Sequence, residues 1–178
     1  MIDLKINFDR LWAEIEELSR IGQDQRGGVS RPSFSLPDLE ARKWLIDRIE
    51  KAGLTPHQDS AGNIFGRLPG KTPQVVMAGS HLDTVINGGR FDGSVGVLSA
   101  LECLRRIREE NFELYRTLEL VSFTDEEGNL AGDFLGSRAF TGQLGEGQLK
   151  ATRTQFGPPL AEIVEKAGLS VENIPLAA

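Results

Sequence analysis

Residues 79–93 read Gly79-Ser80-His81-Leu82-Asp83-Thr84-Val85-Ile86-Asn87-Gly88-Gly89-Arg90-Phe91-Asp92-Gly93. The apolar run before them, Val75-Val76-Met77-Ala78, reads as a short buried strand. After them Val95, Leu98, Leu101, Leu104 and Ile107 recur at helical spacing. His81 and Asp83 therefore leave the end of a strand, and Asp92 sits at the mouth of a helix. One imidazole and two carboxylates on a single connection are donors that divalent metals take. The positive end of the helix beginning near Ser94 favours an ionised Asp92.

Working outward, Thr117-Leu118-Glu119-Leu120-Val121-Ser122-Phe123 alternates and is rich in β-formers, so it predicts a second strand. It runs into Thr124-Asp125-Glu126-Glu127-Gly128. Strand, helix and strand in that order form a βαβ unit with the two strands parallel. Sites in open parallel sheets form beyond the carboxyl ends of the strands. His81, Asp83, Glu126 and Glu127 all belong to that edge in this reading.

On the amino-terminal side, Phe8, Leu11, Trp12, Ile15, Leu18 and Ile21 predict a helix capped by Asn7 or Asp9 and ended by Gly22. Gln23 to Pro37, with Gly27-Gly28 and Pro32, reads as a loop. Ser35, or Pro37 as the first helical residue, opens a second helix that stops at Gly53. Leu54 to Gln58 and Ile64 to Leu68 form a hairpin-like pair about Ala61-Gly62-Asn63. On the carboxyl-terminal side, Asp133 to Phe140 and Leu160 to Ala167 predict short helices. No closing element is expected at the end.

The length of 178 residues fits one domain with its own core. A net charge of −6 argues against a nucleic-acid partner, because no basic stripe offsets it. No apolar run is long enough to span a bilayer. The first five residues have neither the basic nor the apolar region of a signal peptide, so a cytoplasmic protein is expected. The single cysteine, Cys103, leaves no intrachain disulfide and no thiolate zinc site, and is expected as a core or half-buried thiol. Taken singly, His81 reads as a hydrogen-bonded strand-end residue, Asp92-Gly93 as a turn and Asp125-Glu126-Glu127 as a solvated acidic loop. Their convergence at two parallel strand ends weighs against those readings and leaves them open. His57 has no such support and is taken as a surface residue.

The ordered strings Gly-Ser-His-Leu-Asp-Thr-Val, Gly-Gly-Arg-Phe-Asp-Gly and Thr-Asp-Glu-Glu-Gly resemble the M20-type zinc hydrolases. Within these the chain is most similar to the amidase, hydantoinase and carbamoylase branch: N-carbamoyl-L-amino-acid hydrolases, allantoate amidohydrolases and β-ureidopropionases. Gly28-Val29-Ser30-Arg31 with Phe34-Ser35, Asp59 to Asn63, and Leu135-Gly136-Ser137-Arg138-Ala139 match that branch as well. The resemblance implies an α/β fold of the zinc-exopeptidase kind, a largely parallel central sheet flanked by helices, truncated at the carboxyl end. It implies His81 as ligand of one zinc, Asp92 as the carboxylate bridging two, and Glu127 as ligand of the second. Glu126 resembles the general base and Asp83 the partner that orients His81. Two divalent ions are implied, zinc foremost, with manganese or cobalt as alternatives.

The implied reaction is hydrolysis of a carbamoyl or ureido C–N bond in a small-molecule substrate. A deacylase or aminopeptidase of the same superfamily and a catalytically inert remnant are the competing expectations. The family's pattern has two further histidine ligands, whereas this sequence holds only His57 and His81. Residues 1–178 are therefore expected to be the amino-terminal part of one catalytic domain, with an incomplete ligand set. The carboxyl-terminal part and the inserted dimerisation or lid domain, through which the family forms homodimers, are expected to be absent. Asn129-Leu130-Ala131 stands where many relatives carry an Arg-Phe pair.

Overall fold

Asn7 begins the first helix, α1 (Phe8–Arg20), by accepting a hydrogen bond from the Arg10 amide, and Leu11, Ile15 and Leu18 turn inward. Ser35 caps α2 (Leu36–Lys51) in the same way, through the Asp38 amide, with Pro37 in the first turn. A hairpin follows, β1 (Thr55–Gln58) and β2 (Ile64–Leu68), paired antiparallel. Its turn is tied by Asp59, which accepts from the Ala61 and Asn63 amides. Then come β3 (Thr72–His81), α3 (Ser94–Glu109) and β4 (Arg116–Phe123), and β3 and β4 pair parallel as the βαβ reading requires. The structure is a computed structural model that describes residues 4–132, 134–145, 147 and 149–177.

The sheet runs β1-β2-β4-β3. The α/β class and the helix-flanked sheet stand, but the sheet is mixed: of its three pairings only β3–β4 is parallel. One antiparallel pairing is local, because a short turn joins β1 to β2, and the other sets β2 against the distant β4. Helices α1, α2 and α3 cover one face through a core of Leu18, Leu45, Ile49, Leu98, Leu101 and Leu120. A second core gathers Phe34, Leu130, Leu135, Leu160, Val164 and Ile174 around α4 (Leu135–Phe140) and α5 (Leu160–Lys166). Asp133, where the sequence reading begins α4, lies outside the described residues. The chain does have a closing element, a 3-10 turn at Ile174–Ala177 whose Ile174 is fully buried.

Two burial expectations fail. Val75 and Val76, read as buried, are 40% and 48% exposed, because among the described residues β3 is an edge strand with β4 on one side only. Cys103 is exposed, since the stripe Val97, Leu101 and Leu104 turns its opposite face to solvent. An apolar, unpaired strand edge invites pairing with another chain. The 178-residue chain is therefore expected to self-associate in sedimentation velocity, with a weight-average mass that rises with concentration. A sharp monomer at all concentrations would contradict this. Among the described residues no helix is long and apolar enough to cross a membrane.

Candidate metal centre

His81 is the last residue of β3, and its partner in register, Phe123, is the last of β4. The connections leaving both strands therefore emerge side by side. His81 is 5% exposed, and its Nδ1 lies 3.0 Å from the main-chain oxygen of Asp83. A proton on Nδ1 donated to that oxygen leaves the lone pair on Nε2, the arrangement a metal-binding imidazole needs. Nε2 faces carboxylates, 3.5 Å from Glu126 Oε2 and 3.7 Å from Asp92 Oδ1. Ligand atoms of His81, Glu126 and Glu127 all lie within 4.8 Å of one another. Asp92 sits beside this set at the start of α3, with a largely exposed side chain.

Asp83 is almost fully buried. Its main-chain oxygen, not its carboxylate, faces His81 Nδ1; the nearer carboxylate oxygen is 3.8 Å away. The carboxylate instead accepts from the amides of Glu126 and Glu127, at 3.4 and 3.2 Å. Asp83 thus straps the loop after β4 to the loop after β3. Sequence reasoning gave no role to Asp125, yet this residue shapes the same loop. It adopts a left-handed backbone (φ 54°) and accepts from the Leu130 and Ala131 amides.

Gly93 is a further residue the sequence reading left without a role. It enters α3 at φ 62°, and a Cβ there would lie 2.7 Å from both Nδ1 and Cε1 of the His81 ring. Only glycine lets the start of α3 close over the imidazole. An aspartate–glycine pair beside a histidine motif was the available signal, and it reads as an ordinary turn until the ring's position is known. His57 lies away from the site: it is exposed and stacked on Phe65 at 4.5 Å.

The carboxylates crowd one another. Burial raises the Glu127 pKa above its usual value, and the charges of Asp92, Asp83 and Glu126 add to that while His81 opposes it. Asp83 is raised as well, chiefly by burial. Asp125 is pushed up to about 7 by burial and by the neighbouring Asp83 charge, against its amide bonds. Two glutamates, an aspartate and an outward-facing Nε2 fit a divalent cation, which would relieve this repulsion.

The sequence model of peptidase family M28 matches residues 63–156, a span that holds every residue of the site. An N-carbamoyl-L-amino acid amidohydrolase of Geobacillus stearothermophilus is 40% identical over 97% of the chain and 43% of its own length. The allantoate amidohydrolase of Bacillus subtilis is 36% identical over 86% of the chain and 38% of its own length. A crystal structure of a hydantoinase/carbamoylase family amidase from Burkholderia ambifaria superposes with a TM-score of 0.89 at 36% identity, over 97% of this chain and 43% of that one. The chain thus spans less than half the length of the relatives it matches. The M28 label differs from the M20 name under which the motifs were read, and the carbamoylase branch is unchanged by it. With the family model spanning the site, the protein belongs to peptidase family M28, and along most of its length it is similar to hydantoinase/carbamoylase amidohydrolases.

Proposed function

We propose that this chain is the amino-terminal part of a single catalytic domain of a metal-dependent amidohydrolase acting on N-carbamoyl or ureido compounds. The observation that carries the reading is the meeting of His81, Glu126 and Glu127 within 4.8 Å, with Nε2 of His81 turned toward the carboxylates. His81, Asp92 and Glu127 would hold divalent ions, zinc foremost. When bound, such ions polarise a carbonyl and acidify a water. Glu126, one-third exposed, takes the proton of the attacking water and delivers it to the leaving nitrogen. The water oxygen bonds to the carbonyl carbon, the C–N bond breaks, and the nitrogen departs carrying that proton. Asp83 keeps Glu126 and Glu127 in place through their amides.

The remaining catalytic part, the two missing histidine ligands and a dimerisation or lid domain belong to the polypeptide outside this chain in this reading. A cytoplasmic setting is part of this reading. The test is initial rates for the full-length polypeptide on an N-carbamoyl amino acid, allantoate, an N-acyl amino acid and a dipeptide. Metal-dependent turnover of the carbamoyl or ureido substrates is expected; preference for the acyl or peptide substrate would overturn the assignment.

The 178-residue chain alone is expected to bind divalent metal weakly and to turn over little substrate. Three ligands shared between two ions fall short of the three or four protein ligands each that tight zinc sites use. Zinc that survives dialysis against a mild chelator at one or two equivalents, with rapid hydrolysis, would contradict this expectation.

A further inference from the structure

The stretch Gly28-Val29-Ser30-Arg31 takes no part in the chemistry described so far, yet its arginine side chain is 1% exposed. The guanidinium donates from Nε to the main-chain oxygen of Leu82 at 2.7 Å. From Nη1 it donates to those of Leu18 and Ile21, at 3.1 and 2.9 Å. These three acceptors are neutral carbonyls, an expensive setting for a buried charge unless the charge has a use. Two of them belong to the last turn and cap of α1, where the negative end of the helix dipole favours a cation. The third belongs to the residue between His81 and Asp83. Burial pulls the Arg31 pKa down, and the charges of Asp38 and Asp83 hold it up.

The main chain around Arg31 is also paired with the site loop. The Arg31 amide donates to Thr84 Oγ1 at 2.9 Å, and the Thr84 amide returns a bond to the Arg31 oxygen at 3.0 Å. Val29 and Gly88 exchange two more main-chain bonds, and the Asn87 amide donates to Ser30 Oγ. This pairing fixes residues 84–88. The guanidinium reaches past it to Leu82, whose carbonyl belongs to the peptide unit immediately before Asp83. Fixing that carbonyl sets the turn in which the Asp83 oxygen meets His81 Nδ1.

We propose that Arg31 is a positioning residue for the metal centre: it pins the Leu82 carbonyl to the carboxyl end of α1, so that the His81–Asp83 turn presents Nε2 to the ion. The inference rests on the reading of His81 as a ligand. Lysine keeps the charge but cannot reproduce the planar fork that reaches three carbonyls.

The experiment compares wild type, Arg31→Lys and Thr84→Val by ¹⁵N NMR of the histidine rings without metal, then by titration with zinc. Wild type is expected to hold His81 as the single Nδ1–H tautomer. Arg31→Lys is expected to give a tautomer mixture and a zinc affinity lower by roughly 10- to 100-fold, the range for groups that orient metal ligands. Thr84→Val loosens the same pairing while leaving the guanidinium, and is expected to lower the unfolding midpoint with the tautomer unchanged. A folded Arg31→Lys with wild-type tautomer and affinity overturns the proposal. So does a Thr84→Val that shifts both as far as Arg31→Lys does, because general loosening would then explain the effect. Should Arg31→Lys not fold, the Arg31 Nε–H resonance of wild type is followed through the zinc titration; movement in step with His81 supports the proposal and a fixed resonance overturns it. The tautomer readout needs no metal. A wild-type full-length polypeptide that takes up no zinc while Arg31→Lys loses its tautomer sinks the ligand reading and sustains the positioning of His81.

Discussion

Glu126→Gln in the full-length polypeptide is expected to retain its metal and lose most of its turnover, by roughly a hundred- to ten-thousand-fold. Glu127→Gln is expected to lose metal first. The two residues are adjacent, and both belong to the set whose ligand atoms lie within 4.8 Å of one another around His81. Their difference lies in task. An amide at the base position cannot accept the proton of the attacking water. At the ligand position it removes a negative charge from a cationic site and weakens binding before chemistry begins. Asp83 holds both amides, so neither substitution should release the loop. The measurement is metal content by mass spectrometry beside initial rate, with metal in excess. Glu126 Oε2 is 3.5 Å from Nε2 of His81, close enough that a swap of roles is a definite alternative outcome. If Glu126→Gln arrives empty and Glu127→Gln stays loaded, the assignments are reversed.

Gly93→Ala is expected to damage both fold and site. Its Cβ would clash with the His81 main-chain oxygen and meet the ring at 2.7 Å, at a backbone φ of 62° that L side chains rarely adopt. Overpacking and the positive φ together should cost roughly 2 kcal/mol or more, a fall in Tm of about 5 °C for a chain of this size. Relief requires the His81 main chain to shift and the ring to turn, which breaks the Nδ1 contact with Asp83 and moves Nε2 away from the carboxylates. Loss of zinc binding should therefore exceed what the fall in stability explains. Gly89→Ala is the control, since a Cβ there meets nothing within 4 Å. Thermal unfolding and zinc titration of the two variants side by side check the expectation. Equal behaviour of Gly93→Ala and Gly89→Ala would show that the start of α3 does not press on His81.

Much of this protein is legible in one dimension, because the signals involved are local. Helix starts at Asn7 and Ser35 follow from side chains that bond amides two or three residues away. The β3–α3–β4 unit follows from periodicity, and its handedness and parallel pairing from general constraint. His81, Asp83, Glu126 and Glu127 could be placed at one edge from the sequence because the ends of parallel neighbouring strands bring their loops together. What only the tertiary structure decided depends on contacts between segments far apart in sequence. The exposure of Val75 and Val76 follows from β3 having one neighbour, and an apolar run reads the same at an edge as in a centre. The mixed pairing of the sheet depends in part on β2 lying against β4, fifty or more residues away. The acceptor that faces His81 is the main-chain oxygen of Asp83, while its carboxylate holds Glu126 and Glu127. Main-chain carbonyls carry no residue identity, so no pattern of letters can reveal which one faces a ring or a guanidinium. The same holds for Arg31, whose partners Leu18, Ile21 and Leu82 are all main-chain oxygens brought together by the fold.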